Sequence, residues 1–220
     1  MTSPPDARST EPPAAETRQR RRGIGCALEI VETIALTVVM YLVIHTFVAQ
    51  PFEVKQHSME PTITPSDYVL IEKVTLHFAG YRRGDVIVFQ PPQGYEQGEI
   101  PFIKRVIGLP GDHVALANGG VLITPSNGPT VRIDEPYIAR TAAGTPVPSL
   151  PEGPDRKTEW DVPSGMVFAM GDNRAVSEDS RTFGPISDDA ILGRAWLRYF
   201  PLDRAGFIDP ATYPKLVAQP

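Results

Sequence analysis

Residues 102–112 read FIKRVIGLPGD. A β-branched and aromatic run closes on Leu109-Pro-Gly-Asp112, a turn signal with a glycine available for positive φ. The stretch is therefore expected to be a strand followed by a tight turn. On a strand, Lys104 and Arg105 take opposite faces. One of them can enter an apolar cleft among Phe102, Ile103, Val106 and Ile107, while the other finds a carboxylate or water. The plainer alternative is a pair of exposed basic residues on an edge strand, since lysine is seldom buried.

The same grammar repeats from residue 52 onward. PFEVKQH alternates, and DYVLIEKV, DVIVFQ, HVALANGGVLIT and GMVFAM are short runs bounded by Gly, Pro, Asp or Asn. ANGG at 117–120 predicts a hairpin turn. ISDDAILGRAW at 186–196 predicts one helical turn and then a strand into WLRYF. Residues 139–160, ARTAAGTPVPSLPEGPDRKTEW, are polar and Pro-rich and read as a long surface loop. With 24 prolines and 18 glycines in 220 residues, and no internal repeat, a mostly β domain with many turns is expected.

The N-terminal part has a different composition. Residues 1–25 carry almost nothing apolar until the segment reaches RQRRR at 18–22, and they read as a disordered tail with a basic cluster. Residues 26–49 are an apolar stretch in which only Thr37 interrupts Ile34–Ile44, long enough as a helix to cross ~30 Å of hydrocarbon. Glu29, Glu32 and His45 lie toward its ends, where charge costs less. A removable leader and a buried soluble helix are the competing readings. VAQP lacks a small residue before a plausible cut. Arginines on one side alone predict a cytosolic N-terminus and a single span of the plasma membrane. Residues 50–220 are then an extracytoplasmic domain in contact with membrane lipids. The net charge of −5 gives no reason to expect nucleic acid as a partner. The single cysteine, Cys26, excludes an intrachain disulfide and a Cys-based zinc site.

Three segments carry candidate chemistry. QHSMEPT at 56–62 sets His57 beside Ser58. A Ser-His-Asp triad needs a histidine within reach of the serine. If EVKQHSM is extended, His57 points away from what Ser58 faces. His45 belongs to the apolar stretch, and His77 and His113 sit in loop-like surroundings. The other available base is Lys104, which could serve if burial lowered its pKa. The third segment, GDNRAVSEDSRTFG at 171–184, is a polar loop in which Asp179 could pair with Arg181 and Asp172 with Arg174.

Taken together, SMEPT (58–62), RRGDVIVF (82–89), FIKRVIGLPGD (102–112) and GDNRAVSEDSRTFGPI (171–186), with the apolar N-terminal segment before them, resemble the bacterial type I signal peptidases. The resemblance covers about residues 30–205, in the family's order. It implies a complex of antiparallel β-sheets with one N-terminal transmembrane helix. It implies a membrane-bound serine endopeptidase that removes signal peptides from exported pre-proteins, without metal or cofactor. Ser58 would be the nucleophile and Lys104 the general base of an acyl-enzyme mechanism. Ser177 would orient Lys104, and Asp179 and Arg181 would form a structural ion pair. Phe52, Val54, Met59, Phe102 and Ile103 would border small substrate pockets. Gln56 departs from the small residue common two positions before the nucleophile; either its carboxamide donates to the oxyanion or it is strand filler. Lys55 and His57 read as exposed strand residues. Two other classes share some of these features. One is a self-cleaving Ser/Lys regulator of LexA type, which would be cytosolic and carry a DNA-binding region. The other is a membrane-tethered binding domain without catalysis.

Overall fold

The computed structural model describes residues 29–42, 49–73, 80–92, 94–95 and 100–217. The basic tail, Cys26, His45 and His77 lie outside them. A helix over residues 29–42 falls in one compact unit (Met1–Thr46), and every strand falls in the other (Phe47–Pro220). The helix shows Ile30, Ile34, Leu36, Val39 and Leu42 on its surface. At 1.5 Å per residue it is about 21 Å long. Among the described residues no helix is long and apolar enough to cross a membrane. The far end expected for that segment, Ala49, belongs to a strand, because its backbone is paired with Glu72.

The strands run β1 (Ala49–Glu53), β2 (Tyr68–Glu72), β3 (Val86–Phe89), β4 (Phe102–Gly108), β5 (His113–Ala117), β6 (Gly120–Thr124), β7 (Val131–Arg132), β8 (Glu159–Asp161), β9 (Met166–Met170), β10 (Ile186–Ser187), β11 (Ile191–Phe200) and β12 (Gly206–Phe207). The larger sheet has the order β1-β2-β11-β3-β4-β9-β10, with β12 added to β11; the smaller has the order β7-β6-β5-β8. Every pairing between them is antiparallel. The mostly β expectation therefore holds. The turn between β5 and β6 is the expected two-residue hairpin: Asn118 and Gly119 both have positive φ, 50° and 71°, which matches the twist of the flanking strands.

Strand β4 decides where the chemistry sits. It is central, held by β3 (Ile87↔Lys104, Val88↔Ile103) and β9 (Arg105↔Met170, Val106↔Ala169). All seven of its residues are buried, so the edge-strand alternative is set aside. Both faces are covered, which is why its sequence shows an apolar run instead of clean alternation. Phe102 and Val106 pack with Ile87, Phe89, Val167, Ala169 and Ile186. Ile103 packs on the other side with Val54, Met59, Ile63 and Val88. A third cluster joins Ile107, Phe168 and Met170 to Val114, Val121 and Trp160 of the small sheet.

Three local expectations are revised. The strand through PFEVKQH stops at Glu53: Val54 N donates to Asp67 O (2.9 Å) and Ser66 N to Val54 O (2.8 Å), and His57–Met59 then forms one 3-10 turn. Lys55 and His57 are exposed but are not strand residues. The Pro-rich segment is irregular apart from a bridge between Arg140 and Pro146, yet it ends in strand β8, where Trp160 is buried against Phe168. Strands β7, β8, β10 and β12 have two or three residues each, too short to show a period.

Candidate active site

Ser58 lies in the 3-10 turn after β1, and Lys104 in the middle of β4. The turn delivers the serine to the sheet: Lys104 Nζ is 2.8 Å from Ser58 Oγ, and 3.0 Å from Ile103 O. Lys104 has no exposed surface and Ser58 keeps 3%. The Phe102 ring lies 4.8 Å from Nζ. Burial disfavours the ammonium and lowers the Lys104 pKa from 10.5 to about 8; Asp179 and Glu178 oppose that fall, and Arg181 adds to it. An amine in this state can accept a proton near neutral pH, which an exposed lysine cannot.

The loop after β9 packs behind the pair. Asn173 N donates to Ser58 O (2.9 Å). Asp179 caps the helical turn Ser180–Phe183 through Arg181 N and accepts from Gly171 N (3.0 Å). Arg181 grips it twice, Nε to Oδ1 and Nη2 to Oδ2, both at 2.9 Å. Burial alone would raise the Asp179 pKa, but Arg181 and the Gly171 N–H outweigh it and hold the carboxyl below its ordinary value. The expected Asp179–Arg181 pair is thus formed. The Asp172–Arg174 pair is not. Asp172 turns to Arg105, which meets it with Nε (2.9 Å) and Nη2 (2.7 Å), and also accepts from Thr62 Oγ1 (2.6 Å). Arg174 pairs with Glu135 and donates to Gly171 O. Lys104 and Arg105 do point to opposite faces; one meets the serine and the other a carboxylate.

Ser177 is buried beside this cluster; its Oγ meets no partner in ordinary hydrogen-bond geometry but is near enough to Asp179 to help hold that carboxyl down. Gly171 makes room for it: a Cβ there would collide with Ser177 Oγ and Ser58 O. An open groove of about 290 Å³ runs past the serine, lined by Lys55, Gln56, His57, Ser58, Phe102, Val176 and Glu178. Gln56 and Phe102 face it. Of the residues expected to border substrate pockets, only Phe102 lines this groove; Val54, Met59 and Ile103 are buried in a core cluster, with Phe52 packed against it. His57 is exposed and hydrogen-bonds through Nδ1 to Glu60 Oε1 at 3.0 Å, on the turn but not on the serine. His113 pairs with Asp161 on the small sheet. Sequence reasoning missed Glu135 and Glu152, which bind the arginines of the 171–184 loop. The number of arginines in that loop was the available signal, since each buried guanidinium needs a carboxylate from somewhere.

Residues 27–200 match the family described as "Signal peptidase, peptidase S26". A signal peptidase I of Leptolyngbya laminosa is 36% identical over 96% of this chain and 98% of its own. A signal peptidase IB of Staphylococcus aureus is 32% identical over 79% of this chain and 90% of its own. A crystal structure of a signal peptidase I from Enterococcus faecalis covers 52% of this chain and 95% of that one at 30% identity, with a TM-score of 0.37, at which the overlay carries no weight. With a match that takes in both Ser58 and Lys104 and most of the sheet around them, this chain belongs to the signal peptidase, peptidase S26, family.

Proposed function

We propose that this chain is a serine endopeptidase that cuts signal peptides from exported pre-proteins, with Ser58 as nucleophile and Lys104 as general base. The observation that carries the reading is the 2.8 Å approach of Lys104 Nζ to Ser58 Oγ in a site closed to water behind and open to a groove in front. In the ammonium form Nζ donates to the serine. In the neutral amine the direction reverses: the serine O–H donates to the nitrogen lone pair. The amine's two N–H groups then need acceptors. Ile103 O is one. Ser177 Oγ, buried and able to accept while its hydrogen is directed to Asp179, is the candidate for the other.

The steps follow from these positions. Ser58 Oγ attacks the scissile carbonyl carbon as its proton passes to Lys104 Nζ. The oxyanion is met by the Ser58 N–H and, in this proposal, by the Gln56 carboxamide at the groove edge. One such donor is typically worth ~3 kcal/mol. Lys104 then gives its proton to the leaving amine, and water hydrolyses the acyl-enzyme by the same exchange in reverse. The Asp179–Arg181 pair holds the loop that carries Ser177. An extended substrate lies along the chain before Ser58 by β-addition. Small residues before the cut are expected to fit best in the groove beside Ser58, which the buried Phe102 lines.

We also infer a single membrane span within residues 26–48, ending before the strand that starts at Ala49, with the arginine cluster in the cytosol. It is supported by the apolar run Ile34–Ile44 and the exposed apolar side chains of the helix over 29–42. Cleavage of a purified pre-protein in detergent by the wild type, Ser58→Ala and Lys104→Ala tests the enzymatic reading. Both variants are expected to be inactive; full activity in either would overturn it.

A further inference from the structure

The Pro-rich segment has no part in the chemistry above, yet its end is fastened to the catalytic loop. Ser149 is buried against Arg174. Leu150 O accepts from Arg181 Nη1 (3.2 Å). Glu152 Oε1 pairs with the same Nη1 at 2.9 Å. Gly153, with a φ of +73°, lies so close to Thr182 that a Cβ would stand 3.2 Å from its Cα. Glu152 therefore sits on a surface segment, its side chain 27% exposed, and reaches a guanidinium that has no exposure.

That guanidinium is shared. Arg181 binds Asp179 on one side and Glu152 on the other. Asp179, Glu178, Arg181 and Asp172 are the charged groups acting on Lys104. Those acting on Glu152 are Arg181, Asp179 and Glu178, with a hydrogen bond from Thr182. Arg156 lines the same shallow surface as Glu152 and Glu178. Glu152, Arg181, Asp179 and Lys104 thus form one line of alternating charge from the surface to the base.

Resting on the assignment of Lys104 as base, we propose that Glu152 is a positioning residue: by neutralising Arg181 from the solvent side, it sets how strongly the ammonium form of Lys104 is tolerated and so the working pH of the enzyme. The sign follows from the charges. An ionised Glu152 offsets Arg181, favours the Lys104 ammonium and holds more of the base in its unproductive form. A neutral residue 152 releases Lys104 at lower pH. Burial raises the Glu152 carboxyl itself to about 7. The residue therefore changes charge just below the pH at which Lys104 does, and the two titrations are coupled.

This arrangement makes a specific pattern. Glu152→Gln is expected to raise kcat/KM about 1.4-fold near pH 7.5, for a coupling of ~0.3 pH unit. Below about pH 6 the wild-type carboxyl is already neutral, and above about pH 9 Lys104 is neutral in both proteins, so the ratio of variant to wild type should return to one at each end. Glu152→Asp, which keeps the charge, should follow the wild-type profile. Glu152→Ala is the second neutral variant and should reproduce the maximum if the glutamine form folds poorly. The measurement is kcat/KM against pH on a purified pre-protein with the full chain in detergent. A ratio that is flat across pH, or below one at its extreme, would overturn the proposal and leave Glu152 a purely structural strut. Failure of the Lys104 assignment would look different: Lys104→Ala would retain activity whatever stands at 152.

Discussion

Lys104 Nζ and Ser58 Oγ are 2.8 Å apart, although 46 residues separate them in the chain. The lysine comes from the centre of a sheet and the serine from a turn outside it. Neither segment alone is reactive. Among the described residues no histidine hydrogen-bonds the serine, and the lysine would stay protonated in water.

Removing the base should therefore remove the activity. Lys104→Ala is expected to lower kcat by on the order of 10²–10⁴ while Ser58 stays in place. His57→Ala should stay within about twofold of the wild type, since His57 bonds Glu60 and faces solvent. Initial rates of pre-protein cleavage check both. Loss of activity in the His57 variant with the fold intact would contradict the assignment.

The rate should rise with pH. The active form of Lys104 is the neutral amine, and burial brings its pKa down to about 8. kcat/KM should climb through that region and level off above it, with no histidine limb near 6.5. A profile that falls between pH 7 and 9 would be inconsistent with a lysine base.

The same burial should cost stability. The folded-state pKa of Lys104, about 8, lies below the ordinary 10.5. Below about pH 8 the folded protein therefore carries a buried ammonium and the penalty is present in full. Between about 8 and 10.5 the unfolded chain binds the extra proton, so stability rises with pH until the penalty is gone. Lys104→Met should be more stable than the wild type at pH 7, with the gap closing by roughly 3 kcal/mol by pH 10.5. Urea unfolding of the two proteins at several pH values measures that gap, and other titrating groups cancel in the comparison.

Breaking the pair on the opposite face should act on folding. Asp172 binds both nitrogens of the Arg105 fork, and Arg105 is buried. Asp172→Asn leaves a guanidinium uncompensated and should cost roughly 3–5 kcal/mol. The loss is read from the urea midpoint. An unchanged midpoint would show that the pair adds nothing.

Gly171→Ala should injure catalysis more than the fold. The added Cβ would press on Ser177 Oγ and on Ser58 O, shifting the serine that meets Lys104 and the hydroxyl proposed to orient it. A displacement near 1 Å is enough to lower kcat on the order of 10²-fold. Near-normal kcat would mean that the loop yields without moving the site.

Most strands, the main hairpin turn and the residue types of the site are legible locally in the chain. Short β-branched runs bounded by Gly, Pro, Asp or Asn are local signals, and they located β2, β3, β4, β5, β6 and β9 and the Asn118–Gly119 hairpin. Opposite facing of Lys104 and Arg105 also follows from strand geometry alone. The rest depends on long-range packing, which the fold alone supplies. It made β4 a central strand, which turns Lys104 from a surface cation into a base, because burial is a property of what packs on both faces. It ended β1 at Glu53 and put His57 on a turn, because hydrogen bonds from the 66–67 turn capture Val54. It gave Asp172 to Arg105 and Arg174 to Glu135 but left Arg181 with Asp179, two residues away, since a buried guanidinium takes whichever carboxylate the fold brings near. It also fastened the Pro-rich segment to the catalytic loop, a contact between residues 152 and 181 that no local pattern encodes.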